Sequence, residues 1–174
     1  MTPRAYIACL ASYNDGIFHG EWIDLDGTCD IEEEITRILK SSPIAEAEEW
    51  AVHDHEECGH LSEYPGLDGL LSIETAYEET ERHDIDWELY CEYCDHLGHH
   101  LSADHLDSFQ NQYAGSADNL VDWCRDFLEG IGDLLKMPER LQYYFNFESY
   151  ARDMEINDVF TVSISGNTHV FWHG

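Results

Sequence analysis

Five acidic side chains, Asp118, Asp122, Asp126, Glu129 and Asp133, follow one another at spacings of four, four, three and four residues. On a single helix that spacing places all five on one face. Successive carboxylates then stand about 5–6 Å apart along the axis. The phosphates of one DNA strand advance by about 3.4 Å each, and those of both strands together by about 1.7 Å. Allowing for the slant of the DNA backbone, a carboxylate stripe of this pitch can copy a phosphate ladder. Glu74, Glu78 and Glu81, and then Glu88, Glu92 and Asp95, repeat the pattern. The stripe does not help its own helix, because like charges at i and i+4 destabilise by about 0.2–0.5 kcal/mol per pair. Lys40 and Lys136 are the only lysines available to offset it. A solvated helix face is the plain alternative, and the charge imbalance of the entire chain weighs against it.

A second constellation has metal-ligand residue types. Cys91 and Cys94 form a C-x-x-C pair, followed by His96, His99 and His100. Zinc sites use such residues. The competing reading is a pair of core thiols at i and i+3 beside Trp87, Tyr90 and Leu97, and no second C-x-x-C exists. The core reading is preferred, with a metal-binding regulatory module across Cys91–His100 as the alternative function. Asp24, Asp26, Gly27 and Asp30 hint at a calcium loop, but the glycine falls at the fourth position and no Glu stands at the twelfth. This segment is expected to be a turn leading into a helix. Neighbours such as His53 and Asp54 could be drawn as acid–base dyads, yet 11 histidines among 37 acids make such pairs inevitable. No G-x-S-x-G, P-loop or H-E-x-x-H motif occurs. No catalytic residue, no cofactor and no enzymatic activity are expected.

These side chains belong to a chain of 174 residues with 37 Asp and Glu against 8 Lys and Arg, a formal charge of −29. Such a field repels nucleic acid and anionic membrane and attracts basic partners. In charge it matches about 14–15 base pairs of DNA, or about 29 for a dimer. Aromatic residues make up 13% of the chain, which sets it apart from disordered acidic segments. Adaptation to high salt is a further reading of the same charge, and it predicts unfolding at low ionic strength. A secretory leader and a membrane-length apolar run are not seen, so the six cysteines read as free thiols in a cytoplasmic protein.

The elements that must carry the carboxylates read as follows. Arg4–Ser12 and Ile17–Leu25 form a hairpin about an Asn14-Asp15-Gly16 turn. Asp30 caps a helix with Ile31, Ile35, Ile38 and Leu39 inward. Trp50–His53 is a third strand. Gly66 and Gly69 mark a loop before helices over Leu70–Glu81 and Trp87–Leu97, broken at His83-Asp84 and stopped by Gly98. Ser102 or Asp104 caps a helix to about Tyr113, which Gly115-Ser116 breaks. One helix spans Asp118–Lys136, with Pro138 ending it, and another covers Phe147–Glu155. A hairpin turning at Gly166-Asn167 closes the chain. The fold class is α+β, with three small subdomains: 1–60 an antiparallel sheet with a helix, 61–100 helical, and 101–174 α+β with a terminal hairpin. Val159–Gly174 carries no Asp, Glu, Lys or Arg. It is read either as a buried central hairpin or as an edge shielded by another copy. Arg152 is read as an internal ion-pair former.

Several segments resemble the ArdA family of antirestriction proteins. The opening Tyr6-Ile7-Ala8-Cys9-Leu10-Ala11-Ser12-Tyr13-Asn14-Asp15-Gly16, with Gly20-Glu21-Trp22-Ile23-Asp24 after it, is similar to the family's first hairpin. Glu48-Glu49-Trp50-Ala51-Val52-His53-Asp54 resembles its third strand. The stretch from Tyr144-Phe145-Asn146-Phe147-Glu148 through Ala151-Arg152-Asp153-Met154-Glu155 to Asp158 is the most specific. The resemblance runs in order through most of the chain. It implies a DNA mimic that occupies the DNA groove of type I restriction–modification enzymes. It also implies an elongated homodimer with C-terminal domains in contact, carried on a mobile genetic element. The histidines and cysteines of the middle region, His105 included, are not part of that resemblance.

Overall fold

In the computed structural model, which describes residues 2–174, the chain divides into two compact units, Met1–Leu106 and Asp107–Gly174. Both are α+β.

The first unit opens with β1 (Arg4–Cys9), a short helix α1 (Leu10–Asn14) and β2 (Gly20–Asp24). The two strands pair antiparallel from Arg4 with Asp24 to Ala8 with Gly20. The expected Asn-Asp-Gly hairpin turn is instead this helical turn and a loop. The strand stops at Cys9 because the next residues turn back on themselves, the Asp15 and Ile17 amides both donating to the Ser12 carbonyl. The helix α2 (Ile31–Lys40) starts where expected, with the Asp30 carboxylate accepting from the Glu33 amide at 2.9 Å. Its Ile31, Ile35 and Ile38 are buried. The third strand, β3 (Trp50–Glu56), lies on the other side of β1, giving the order β2-β1-β3.

Two helices complete the unit, α3 (Gly66–Arg82) and α4 (Trp87–Leu97). Gly66 and Gly69 belong to α3, so no loop intervenes before Leu70. The break at His83-Asp84 and the stop at Gly98 fall where expected, and Asp86 caps α4 through the Leu89 amide. Tyr90 and Tyr93 are fully buried between these helices and the segment that follows, and the Tyr90 hydroxyl donates to the Ser102 carbonyl. Ser102 caps a 3-10 turn, Ala103–His105.

The second unit begins with α5 (Leu106–Gln112) and β4 (Tyr113–Ala117). Gly115-Ser116 therefore lies inside a strand rather than ending a helix. Next come α6 (Leu120–Gly130), α7 (Asp133–Lys136), α8 (Glu139–Gln142) and α9 (Phe147–Asn157). The terminal hairpin is β5 (Val159–Ile164) and β6 (Asn167–Trp172), and the antiparallel sheet has the order β4-β6-β5. Its turn residues are Ser165 and Gly166, both at positive φ (50° and 87°), one position earlier than expected. The last strand is central, with β4 and β5 on its flanks. Trp123 and Cys124 of α6 pack with Ala151 and Met154 of α9 against Val159 and Val170 of the sheet.

The single helix expected over Asp118–Lys136 does not form. Gly132 sits at φ 74°, in the left-handed region, and splits it into α6 and α7. Lys136 ends α7, and Pro138 lies at the start of α8.

The acidic surface as candidate interaction site

The charge is divided unequally between the units. Residues 1–106 hold 26 Asp and Glu against 4 Lys and Arg, a net of −22. Residues 107–174 hold 11 against 4, a net of −7.

On α3, Glu78 and Glu81 are exposed and Glu74 is half-buried. The loop after β2 approaches this helix so closely that a Cβ on Gly27 would meet the Glu78 carboxylate at 2.1 Å. The loop turns through Asp26, whose carboxylate accepts from the Thr28 amide at 3.0 Å, and it leads into α2. Burial is the first cause that raises the Glu74 pKa; Glu78, Asp26 and Asp30 add to it, against a hydrogen bond from the Gly27 amide. On α4, Glu88 and Glu92 are exposed, while Asp95 is half-buried and accepts from His60 Nδ1 at 2.8 Å. Glu78, Glu81, Glu88 and Glu92 have no cationic partner among the described residues.

The five-residue stripe is divided by the helix break. Only Asp122, Asp126 and Glu129 lie on α6. Asp118 precedes the Asn119 cap, and Asp133 opens α7, where it pairs with Lys136. Asp122 is held by Arg125 at 2.9 Å and by the Asn119 side chain at 2.7 Å. Asp126 and Glu129 are exposed and free of cations among the described residues.

Most of the scarce cations are committed. Arg37 makes a bidentate pair with Glu21 at 3.0 and 2.8 Å and a further contact with Glu34. That guanidinium holds the Glu21 carboxyl below its ordinary range. Arg4 pairs with Glu56, Arg82 with Glu79, and Arg125 and Lys136 as above. Arg152 departs from expectation: it is exposed on α9 and forms no ion pair among the described residues. The neighbouring aromatic ring contact goes to Arg125, which lies over Phe147 at 5.0 Å.

Cys91 and Cys94 take the core positions. Cys94 is buried, and the Cys91 sulfur lies 4.0 Å from the Glu57 carbonyl. Burial pushes both thiols up, Cys94 to about 11, and burial likewise pushes nearby Cys58 up to about 12. His96, His99 and His100 are exposed, and the His99 ring stacks on His105 at 4.3 Å instead of turning toward the thiols. No three His, Cys, Asp or Glu among the described residues come together as a metal-ligand group.

Sequence reasoning placed α3 and α4 on the DNA-like surface but read Asp24, Asp26 and Asp30 of the same unit only as a turn and a helix cap. The signal that finds them is the charge on each side of residue 106, which needs the unit boundary to be known.

A folded, multi-element anionic surface with its few cations mostly neutralised defines an electrostatic competitor for basic grooves. The chain belongs to the ArdA family of antirestriction proteins, matching it over residues 5–167. It is a DNA mimic that inhibits type I restriction–modification enzymes by competing for their DNA-binding groove, and it does so without catalysis. Comparison with curated proteins finds no match. No helix among the described residues is long and apolar enough to cross a membrane.

Proposed function

We propose that the phosphate-replacing surface comprises Glu74, Glu78 and Glu81 of α3, Glu88, Glu92 and Asp95 of α4, and Asp118, Asp122, Asp126, Glu129 and Asp133 of the second unit. The observation that carries this assignment is the row of exposed carboxylates Glu78, Glu81, Glu88 and Glu92 on α3 and α4, with no cationic partner among the described residues. Carboxylates already paired, such as Asp122 and Asp133, contribute less, because their charge is partly spent on Arg125 and Lys136. Of the three segments 1–60, 61–100 and 101–174, the second and third carry these carboxylates, and the protein acts in the cytoplasm where DNA is restricted.

The active form is a homodimer joined through the second unit. A charge of −7 makes self-association there far less repulsive than through a unit at −22. Leu135, Tyr143 and Tyr144 of that unit are 79%, 87% and 78% exposed, which is apolar surface of the kind subunit contacts bury.

The test is a competition titration against labelled target DNA on a type I methyltransferase core, at low and moderate salt. Displacement near stoichiometry that weakens with salt is the expected result. Abolition by a single neutralising substitution among these carboxylates, with the fold intact, would rule out a distributed surface.

A further inference from the structure

Phe18 is the most exposed large apolar side chain among the described residues, at 93%. The loop that carries it is tied down on both sides. The Ile17 amide donates to the Ser12 carbonyl and the Cys9 amide to the His19 carbonyl, each at 2.9 Å. The His19 ring is held in turn at 2.8 Å from the Ile38 carbonyl. The backbone that carries the ring is thus held between two anchored residues, so less of the loop has to be ordered on binding.

Charge decides what can cover it. The ring belongs to the unit with a net of −22, with Asp15 exposed close by in sequence. A second copy brought to this face would set two such fields against each other, whereas a basic groove is complementary. A groove that binds DNA for base methylation accepts two things from its ligand, phosphate charge and the π-face of an unstacked base. The carboxylates supply only the first.

We propose that Phe18 is a stacking anchor, its ring lying in the partner's basic groove where an unstacked base would be held. This rests on the DNA-mimic reading above and adds an apolar, salt-independent component to it.

The experiment compares full-length wild type with Phe18→Ala, Phe18→Leu and Phe18→Trp in the competition titration on the methyltransferase core at two salt concentrations. Circular dichroism melts and sedimentation are run on every variant. The Ala variant is expected to need about tenfold more protein for half-displacement, the scale of one base–aromatic stack. The Leu variant should lose most of the same factor, the Trp variant should keep wild-type potency, and the salt dependence should be alike in all four. Wild-type potency in the Ala variant, with an unchanged melt, would overturn the assignment while leaving the mimic reading standing. Wild-type potency in the Leu variant would show a generic apolar contact and overturn it as well. Self-association of wild type that the Ala variant loses would place a second copy on the ring instead. A wild-type protein that displaces no DNA would sink the mimic reading and this anchor together.

Discussion

Glu74 shows how a single carboxylate is placed at a cost to the fold. It is half-buried beneath the loop at Gly27 and faces Glu78, Asp26 and Asp30, so its charged form is disfavoured in the folded state. Its folded pKa is raised above the unfolded value. The stabilising contribution of this group is therefore complete below the unfolded pKa and is lost as pH rises through the folded one. At neutral pH the ionised Glu74 opposes folding. Glu74→Gln is expected to raise the melting temperature at pH 7, by an amount equivalent to about 0.2–0.5 kcal/mol for relief of the pair with Glu78. The gain should vanish below the carboxylate range, where wild type is itself protonated. Melts of both proteins across that range check the sign. A gain independent of pH would mean that burial and neighbouring charge are not the cause.

At the scale of elements, α3 and α4 carry Glu78, Glu81, Glu88 and Glu92 without a cationic partner among the described residues, and α6 carries a shorter row than its sequence suggests. Neutralising Glu78, Glu81, Glu88 and Glu92 to Gln should weaken displacement stepwise. Each substitution should reduce the salt slope by about 0.9 if one carboxylate replaces one phosphate. An unchanged slope in the quadruple variant would remove these helices from the contact surface. The break between α6 and α7 rests on Gly132, where nothing lies within 4 Å of an added Cβ, so the backbone angle alone is at stake. Gly132→Ala is expected to destabilise by about 1 kcal/mol, because an L side chain is strained in the left-handed region. In urea the midpoint should fall with the slope unchanged. A variant as stable as wild type would mean that the helix can run through this point.

For the whole molecule, salt acts on folding and on inhibition with opposite signs. Screening relieves self-repulsion in a chain at −29, so the melting temperature should rise with salt. Binding should weaken by about 10³-fold or more between about 50 and 200 mM salt if at least six phosphate positions are occupied. Inhibition that strengthens with salt would favour a salt-adapted protein whose charge is not a binding device. Dimerisation through the second unit is expected to fail in Tyr143→Asp combined with Tyr144→Asp. Sedimentation equilibrium should then report the monomer mass, and a persistent dimer would direct the interface elsewhere.

Periodicity and capping made the long regular pieces legible from residues alone. Asp30 announces α2 because a carboxylate just ahead of an apolar stripe satisfies the amides a helix start leaves open. Composition likewise determined the sign of the surface charge, since charge needs no coordinates to be counted. Local signals failed where long-range pairing or a backbone angle prevailed. Tyr113–Ala117 joins β6 across 50 residues or more, so Gly115-Ser116 reads as a helix breaker until the partner strand is in place. The stripe from Asp118 to Asp133 keeps helical spacing through Gly132, and only the left-handed turn there divides it. The metal-like cluster is resolved by burial, which carries Cys94 inward while the histidines stay in solvent. Spacing along the chain is a property of sequence, but which carboxylates are left unpaired, and on which unit the charge is gathered, follows from packing.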